Sequence, residues 1–503
     1  MTNELGKSQK WWATLGIGTS AFMIATEFYI VGAIIPILVE YFNTTFAIAQ
    51  WIILIYTLFL TVLVLGVARL GDIYSKKLLF LSGLLLFTIS SLFCGLAPNI
   101  GLLITFRGLQ GLGAVFVWAL RNAIITEIFP EEDRGRVLGW VTGLASLGLA
   151  LGPGLGGLLI SFGGWRLVFW VNLPIGMIAT FIVARYLPSS VSIGVRKNFD
   201  VMGLFLMSLA LSCFVLGMTR IQELGFGDPL EVILIALSIV FLLCFLLLES
   251  SLEEPILDIK MFRFPRFSLN LLLFAMIYAI VGIIQLILPL FLELGLRYSP
   301  QKVGLLLTLL PLASVIVAPI AGSIADRFGE QIVSFIGLLL LEIGCWTASS
   351  LNTESTTIGF CVRGILIELG LIISVIPISN TVMETVERKK LGIASGLLAL
   401  SRSLGIIIGM CLLSTVFSRV TFFNAQLLTG FEITSVSPKI FDLANVPVAA
   451  LIIGIDTTFI AMALITLSSI MLAVFLWWQS TWYLRDQSAT SNQAMPEIKT
   501  QQN

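Results

Sequence analysis

About fourteen times along this chain, a run of roughly twenty apolar residues ends in a short polar break, and that rhythm constrains the fold more than any other feature. At a rise of about 1.5 Å per residue, each run matches the ~30 Å hydrocarbon layer of a bilayer and reads as a spanning helix. The spans fall near 12–39, 47–68, 78–97, 101–128, 137–160, 166–187, 201–219, 231–249, 267–293, 302–325, 332–350, 357–380, 391–418 and 451–480. Composition agrees, with 57% hydrophobic and only 12% charged residues, against about 25% charged in soluble domains. A formal net charge of zero removes the basic footprint of a nucleic-acid binder. The first run is too long for a signal peptide and lacks a small-residue cleavage site, so it reads as span 1. With no histidine, and six cysteines scattered through apolar runs without CxxC spacing, neither a metal centre, a disulfide nor any cofactor is expected. The "LGKS" at Leu5 lacks the upstream glycine and the βαβ context of a phosphate loop.

Basic residues are unevenly placed between the spans. With the N-terminus inside, the inner segments hold Lys7, Lys10, Arg69, Lys76, Lys77, Arg388, Lys389, Lys390 and many others. The outer segments hold only Arg166, Arg220, Arg297, Lys302, Arg419 and Lys439. Under the positive-inside rule both termini are cytoplasmic.

The chain also repeats itself. "RLGDIYSKK" after span 2 is echoed by "SIADRFGE" after span 10, which puts Asp72 and Asp326 254 positions apart. Arg107 and Arg363 are 256 apart, Pro36 and Pro289 253, and Gly148 and Gly152 each 257 from Gly405 and Gly409. So constant an offset marks two halves of six spans, with roughly sixty inserted residues that spans 7 and 8 supply. The expected fold is an all-α membrane protein of two pseudo-symmetric six-helix bundles plus two inserted helices. The N-terminal bundle covers 1–190, the insertion and its linkers 191–260, the C-terminal bundle 261–484 and a cytoplasmic tail 485–503. Parallel halves of this kind are the plan of many secondary transporters, with substrate held between them near the midplane.

Charges inside the spans are the candidate site. Glu27, within "ATEFYIVGAIIP", lies roughly 22 Å along span 1 and so near mid-membrane. Insertion scales charge about 2.5–3.5 kcal/mol for such a group, and an intramembrane ionisable residue is a functional hypothesis by default. Low dielectric disfavours its ionised form, which suits it to loading and unloading protons, while the ionised form attracts cations. Four arginines are also interior: Arg107, Arg121, Arg363 and Arg402. Arg107 comes out at a depth comparable with Glu27. Arg121 falls near the cytoplasmic end of span 4, where snorkelling or a pair with Glu127 accounts for it. Glu368 is at mid-depth in span 12; Glu342, in span 11, has a structural reading. Gly148, Gly152 and Gly156 share one face of span 5 and permit close helix approach, and Pro153 adds a bend site.

These motifs resemble those of the major facilitator superfamily, in particular its fourteen-helix drug:proton antiporters related to QacA and EmrB, over nearly the whole chain. "RLGDIYSKK" is similar to the loop pattern G-x-L-x-D-R-x-G-R-K, keeping Asp72, Lys76 and Lys77 but with Ala68, Ile73 and Ser75 at three of its positions. The second copy keeps Gly322, Asp326, Arg327 and Gly329 and ends in Glu330. "RGLQGLGA" from Arg107 resembles the span-4 motif, and "GLALGPGLGG" from Gly148 to Gly157 the span-5 antiporter motif. "GWRLVFWVNLPIG" from Gly164 resembles a segment of the fourteen-helix branch. The stretch around Glu27 is similar to L-D-x-T-I-V-N-V-A-L-P, with Glu27 for Asp, Gly32 for Asn and Pro36 for the final Pro.

The resemblance implies a central cavity lined by spans 1, 4 and 12. Glu27 is then the proton carrier, Arg107 its tuning partner or relay, and Glu368 a second proton or cation site. Phe28, Tyr29 and Trp118, with Phe22 and Phe116, are candidates for stacking on a lipophilic cation; Gln285 and Arg121 are further cavity candidates. Asp72, Lys76, Lys77, Asp326 and Arg327 would latch the cytoplasmic side. Gly148, Gly152, Pro153, Gly156 and Gly157 would form a tight interface between the halves. The implied function is proton-coupled antiport, exporting lipophilic, cationic, drug-like compounds across the cytoplasmic membrane by alternating access, without enzyme chemistry. The partners are substrate, protons and the bilayer, for a monomer with room for accessory efflux components. Export of an endogenous metabolite or siderophore, proton-coupled uptake and, more remotely, a non-transporting receptor or scaffold stay open as alternatives.

Overall fold

Apolar runs separated by polar punctuation yield, in the computed structural model, fourteen helices among the described residues that are long and apolar enough to cross a membrane. The structure describes residues 7–129, 131–188, 200–224, 228–252, 259–386, 391–429 and 446–494, and no strand occurs among them. Spans 1 to 7 are Ser8–Phe42, Phe46–Val64, Lys76–Leu96, Ile100–Ile128, Arg136–Gly163, Arg166–Tyr186 and Val201–Ile221. Spans 8 to 14 are Pro229–Ser251, Pro265–Gly295, Pro300–Phe328, Glu330–Ala348, Thr357–Glu384, Gly396–Thr429 and Val448–Gln479. Each answers to one of the expected runs. The loop between expected spans 391–418 and 451–480 is shorter than the sequence suggested, because the helix of span 13 continues to Thr429. The rest of that loop, 430–445, lies outside the described residues.

Spans 1 and 6 are each broken beside a proline. Span 1 is α-helical over Lys7–Ile30, tightens to a 3-10 turn at Gly32–Ile34 and resumes over Ile35–Phe42. Pro36 is the cause: it has no N–H to donate, and its ring crowds the carbonyl four residues back, that of Gly32. Span 6 splits into Arg166–Trp170 and Asn172–Tyr186, with Pro174 in the first turn of the second piece, where a missing N–H is tolerated.

The internal repeat reappears as packing. Gly148 and Gly152 of span 5 lie against the backbone of span 1; a Cβ on Gly152 would sit 2.9 Å from the Thr26 carbonyl. Gly405 and Gly409 of span 13 lie in the same way on Ala275 and Ala279 of span 9. Spans 4 and 12 each begin with a side-chain cap. The Leu102 N–H donates to Asn99 Oδ1 at 2.9 Å, and the Gly359 N–H to Thr356 Oγ1 at 3.1 Å.

One expectation is corrected here. Gly148, Gly152 and Gly156 do not form the interface between the halves, since all three pack on span 1 within the N-terminal bundle. The opposite face of span 5 makes that contact: Gly157 meets Pro300 and Gly304, Gly154 meets Thr308, and the Pro153 carbonyl would lie 2.5 Å from a Cβ on Gly304. A helix turns about 100° per residue, so a stripe at i, i+4, i+8 and the residues beside it look in different directions.

Let the face where span 1 begins be the N-terminal face. The contacts between the halves gather at the far face, where Gly32 lies on the Gln285 carbonyl and the Phe46 and Phe417 rings sit 5.7 Å apart. One apolar core runs through both halves there, joining Ile34, Phe46, Val303 and Phe417. A second, with Ile17, Phe80, Val117 and Val141, belongs to the N-terminal bundle alone. Toward the N-terminal face, Gly139 and Gly143 of span 5 and Gly322 of span 10 meet nothing within 4 Å. A cleft therefore opens between the halves toward the N-terminal face. Inserted span 7 packs against spans 2, 8 and 13.

Candidate functional site

Glu27 and Arg107 are brought together, but away from the cleft. Arg107 Nη1 lies 2.6 Å from Glu27 Oε1, and each side chain is 1% exposed. Both carboxylate oxygens are occupied, because Asn172 Nδ2 donates to Glu27 Oε2 at 2.6 Å. The guanidinium is held as firmly: Nε donates to the Ile52 carbonyl at 3.0 Å and Nη1 to Gln110 Oε1 at 2.6 Å. Gln110 Nε2 in turn donates to Ser91 Oγ at 2.7 Å. Tyr56 packs over the Arg107 guanidinium at 4.4 Å and Phe169 at 5.8 Å. Spans 1, 2, 3, 4 and 6 all contribute to this knot. Its geometry follows from local breaks. Asn172 reaches Glu27 because span 6 restarts at that residue, and Gln110 stands one turn below Arg107 on the same face of span 4. The expectation that Glu27 and Arg107 line the open cavity is corrected: Arg107 and Asn172 seal the carboxylate inside the N-terminal bundle.

A different set faces the cleft. Ser314 Oγ of span 10 donates to Glu368 Oε2 at 3.1 Å. Tyr29 lies within electrostatic reach of Glu368, Arg402 and Tyr278, and its hydroxyl faces Gln285. The Gln285 side chain is buried beside it, at the ceiling where Gly32 meets its carbonyl. Arg402 sits over the Tyr278 ring at 5.0 Å, and Tyr278 packs on Phe274 at 4.8 Å. Glu368, Tyr29, Trp118, Arg121, Tyr278 and Arg402 are all partly exposed. Phe28 is beside Tyr29, with ring centroids 5.7 Å apart. Of the expected residues, Glu368, Tyr29 and Gln285 lie together, while Trp118 sits with Arg121 on span 4 and packs against the N-terminal bundle core. Arg402, Tyr278 and Ser314 join them without having been singled out. Arg402 had at least been visible as a charge in an apolar run; Ser314 carried no signal.

Arg121 corrects another expectation. It does not pair with Glu127, which Lys76 takes at 3.3 Å. Instead its guanidinium stacks on Trp118 at 3.8 Å, and its Nε and Nη1 are buried without a hydrogen-bond partner. Among the loop motifs, Lys77 Nζ donates to the carbonyls of Ala184 and Leu187 at 2.9 and 2.5 Å. Lys76 and Lys77 thus tie span 3 to spans 4 and 6 of their own half. Asp326 and Arg327 are exposed, and the side chain of Asp72 lies outside the described residues. Arg363, the repeat counterpart of Arg107, donates to the Thr347 carbonyl at 2.9 Å, with no role in the cleft. Glu342 Oε1 accepts from Trp346 Nε1 at 2.6 Å on its own helix.

Fourteen spans, two glycine-backed halves and a cleft between them describe a transporter, and sequence comparison decides which kind. The family model described as Major Facilitator Superfamily matches residues 17–410. The chain belongs to this superfamily. As a member it is a multi-pass membrane protein that moves small molecules rather than an enzyme, and its fourteen spans fit the superfamily's drug:proton antiporter branch. The multidrug resistance protein Stp of Mycobacterium tuberculosis is 30% identical over 403 residues, 80% of this chain and 75% of the relative. The riboflavin transporter RibZ of Clostridioides difficile is 28% identical over 418 residues, 83% and 90% of the two chains. The multidrug transporter protein MdtP of Bacillus subtilis is 27% identical over 421 residues, 83% and 77%. Among solved structures, a bacterial homologue of the human lysosomal transporter Spinster, inward-facing and unoccupied, superposes with a TM-score of 0.69. The match covers 94% of this chain and 97% of that one at 15% identity, a likeness of superfamily fold alone.

Proposed function

We propose that this superfamily member exports lipophilic aromatic compounds in exchange for protons, by alternating access, with the Glu27–Arg107 pair as its coupling element. The observation that carries this reading is a carboxylate bound on both oxygens inside a membrane-spanning bundle. A pair buried so deeply is a poor device for stability, because desolvation offsets the attraction, and charges at that depth mark ion pathways. A proton delivered to Glu27 removes the charge that Arg107 neutralises and loosens span 1 from spans 4 and 6. Five residues further on, span 1 breaks at Gly32 and closes the far face against Gln285. Proton occupancy is thereby linked to closure between the halves.

The bias of Lys and Arg supports a cytoplasmic N-terminal face. The open cleft is then on the loading side of an exporter. Each charge moved down the field contributes about 2.3 kcal/mol per 100 mV. The relatives named for multidrug resistance support lipophilic cargo. A cationic cargo, expected from Glu27, loses its main support, since that carboxylate is occupied by Arg107 and Asn172. The relative named a riboflavin transporter favours metabolite transport as the second reading, and the cargo moved in vesicles tells the two apart.

The test is the full chain reconstituted in vesicles with an imposed pH gradient, following dye efflux and substrate-dependent proton movement. Glu27→Gln, which keeps the side chain's shape and its contact with Arg107, should abolish gradient-driven efflux. Undiminished efflux in that variant sinks the coupling mechanism.

A further inference from the structure

We propose that the cleft is built for aromatic anions, compounds carrying a carboxylate, sulfonate or phosphate on a ring system, rather than for lipophilic cations. The inference rests on the transport reading above but not on proton coupling. The described charged side chains of the cleft set are Glu368 at mid-depth and, nearer the N-terminal face, Arg402 and Arg121, two guanidinium groups against one carboxylate. The carboxylate already accepts from Ser314. The other carboxylate at this depth, Glu27, is neutralised behind the cleft wall by Arg107.

Arg121 decides the matter. Its plane lies on Trp118 at 3.8 Å, and two of its nitrogens, Nε and Nη1, are buried and donate to nothing. Buried polar groups normally find a partner, and an idle charged donor is costlier than a neutral one. Glu127, six residues along, does not supply that partner, since Lys76 holds it. Arg402 approaches from the other half, close enough for the two like charges to act on one another, and is itself stacked on Tyr278 at 5.0 Å. The fold has therefore set two guanidinium groups from opposite halves over two aromatic rings and left at least one without an acceptor. A ligand that brings both an oxyanion and a ring completes this arrangement. The oxyanion accepts charge-assisted hydrogen bonds from the planar N–H fork, often two at once, and the ring packs beside Trp118 and Tyr278, the half-exposed rings that carry the two guanidinium groups. A cation entering from the N-terminal face meets Arg121 and Arg402 before it reaches Glu368, and like-charge juxtaposition rejects it. Because one guanidinium comes from each half, an anion held by both also bridges the two moving bodies.

The test is equilibrium binding to the purified full chain in lipid nanodiscs, with no gradient, read by fluorescence polarisation. The probes are 5-carboxyfluorescein for the anion and ethidium for the cation. Unlabelled 1-pyrenesulfonate and 1-naphthyl phosphate serve as competitors. Carboxyfluorescein should bind more tightly than ethidium, and both competitors should displace it. Arg121→Gln and Arg402→Gln should each weaken it about tenfold, the scale of one lost charge-assisted hydrogen bond, with ethidium binding unchanged or tighter. Arg402→Lys should fall between, keeping the charge without the fork. The proposal is overturned if ethidium outcompetes carboxyfluorescein in the unaltered protein, if none of the three anions binds at millimolar concentration, or if the glutamine variants bind them undiminished. The first two readouts use the unaltered protein, so a variant that misfolds does not shield the idea. A failure of Glu27→Gln to uncouple transport would leave this binding result intact.

Discussion

The two halves repeat one design and treat their charges in opposite ways. In the N-terminal bundle, Glu27 and Arg107 are 1% exposed and saturated by Asn172, Gln110 and a backbone carbonyl. In the C-terminal bundle, Glu368 has a hydroxyl for company and Arg402 an aromatic ring, and both stay partly open to the cleft. A common scaffold of glycine-backed helix pairs thus supports a locked charge pair in the N-terminal half, which spares only Arg121 for a guest, and charges that are all available to a guest in the C-terminal half. The repeat lays out the helices; which side chain turns inward decides the division of labour.

The sharpest way to break this comparison is to remove one charge from each half. Arg107→Ala strands a buried carboxylate and should cost about 3–5 kcal/mol, seen as a collapse in folded yield and thermal stability in detergent. Arg402→Ala, at a wetter site without an ion pair, should cost less than about 1 kcal/mol. Equal losses would show that the two sites are not different in kind.

A smaller effect is expected at the hydrogen bonds around each carboxylate. Asn172→Ala removes a buried donor to a charged group, worth about 1.5–3 kcal/mol, whereas Ser314→Ala removes a half-open one and should cost at most about 1 kcal/mol. The ratio of the two melting-temperature shifts measures how unevenly the halves hold their acids. The mildest change in overall stability is expected where the halves touch. Gly304→Val adds atoms where a Cβ already lies 2.5 Å from the Pro153 carbonyl and 3.0 Å from Gly157 Cα. Overpacking of about 1–3 kcal/mol can be relieved by parting the far face rather than by unfolding. Spin labels at Tyr41→Cys and Lys302→Cys should then move apart in pulsed-resonance distance measurements, with little change in melting temperature.

The sequence carried the number and order of spans, the repeat and the near-equal depth of Glu27 and Arg107, because hydropathy, spacing and rise per residue are all one-dimensional. Rotational phase was not legible. Glu27 and Tyr29 are two residues apart, so they point about 200° away from each other; one meets Arg107 and the other the cleft. The same cause misdirected the glycine stripe, whose face meets span 1 while Gly154 and Gly157 meet span 10. It also broke the expected pair of Arg121 and Glu127, six residues and about 240° apart on one helix. Ser314 and Tyr278 had no signal at all, since a hydroxyl in an apolar run most often turns back to its own helix, as Thr308 does to the Gly304 carbonyl.

Inserted span 7 leans on span 2 of one half and span 13 of the other, and the Arg419 guanidinium fastens to the Ile221 carbonyl at 3.1 Å. The two seams between the halves are therefore not alike. The one between spans 5 and 10 is glycine against glycine, a bearing with nothing laid across it among the described helices, while the one between spans 2 and 13 is strapped from outside. Rocking has to shear the strap but can roll freely on the bearing. The insertion thus turns a nearly two-fold machine into one with a stiff flank and a slack flank.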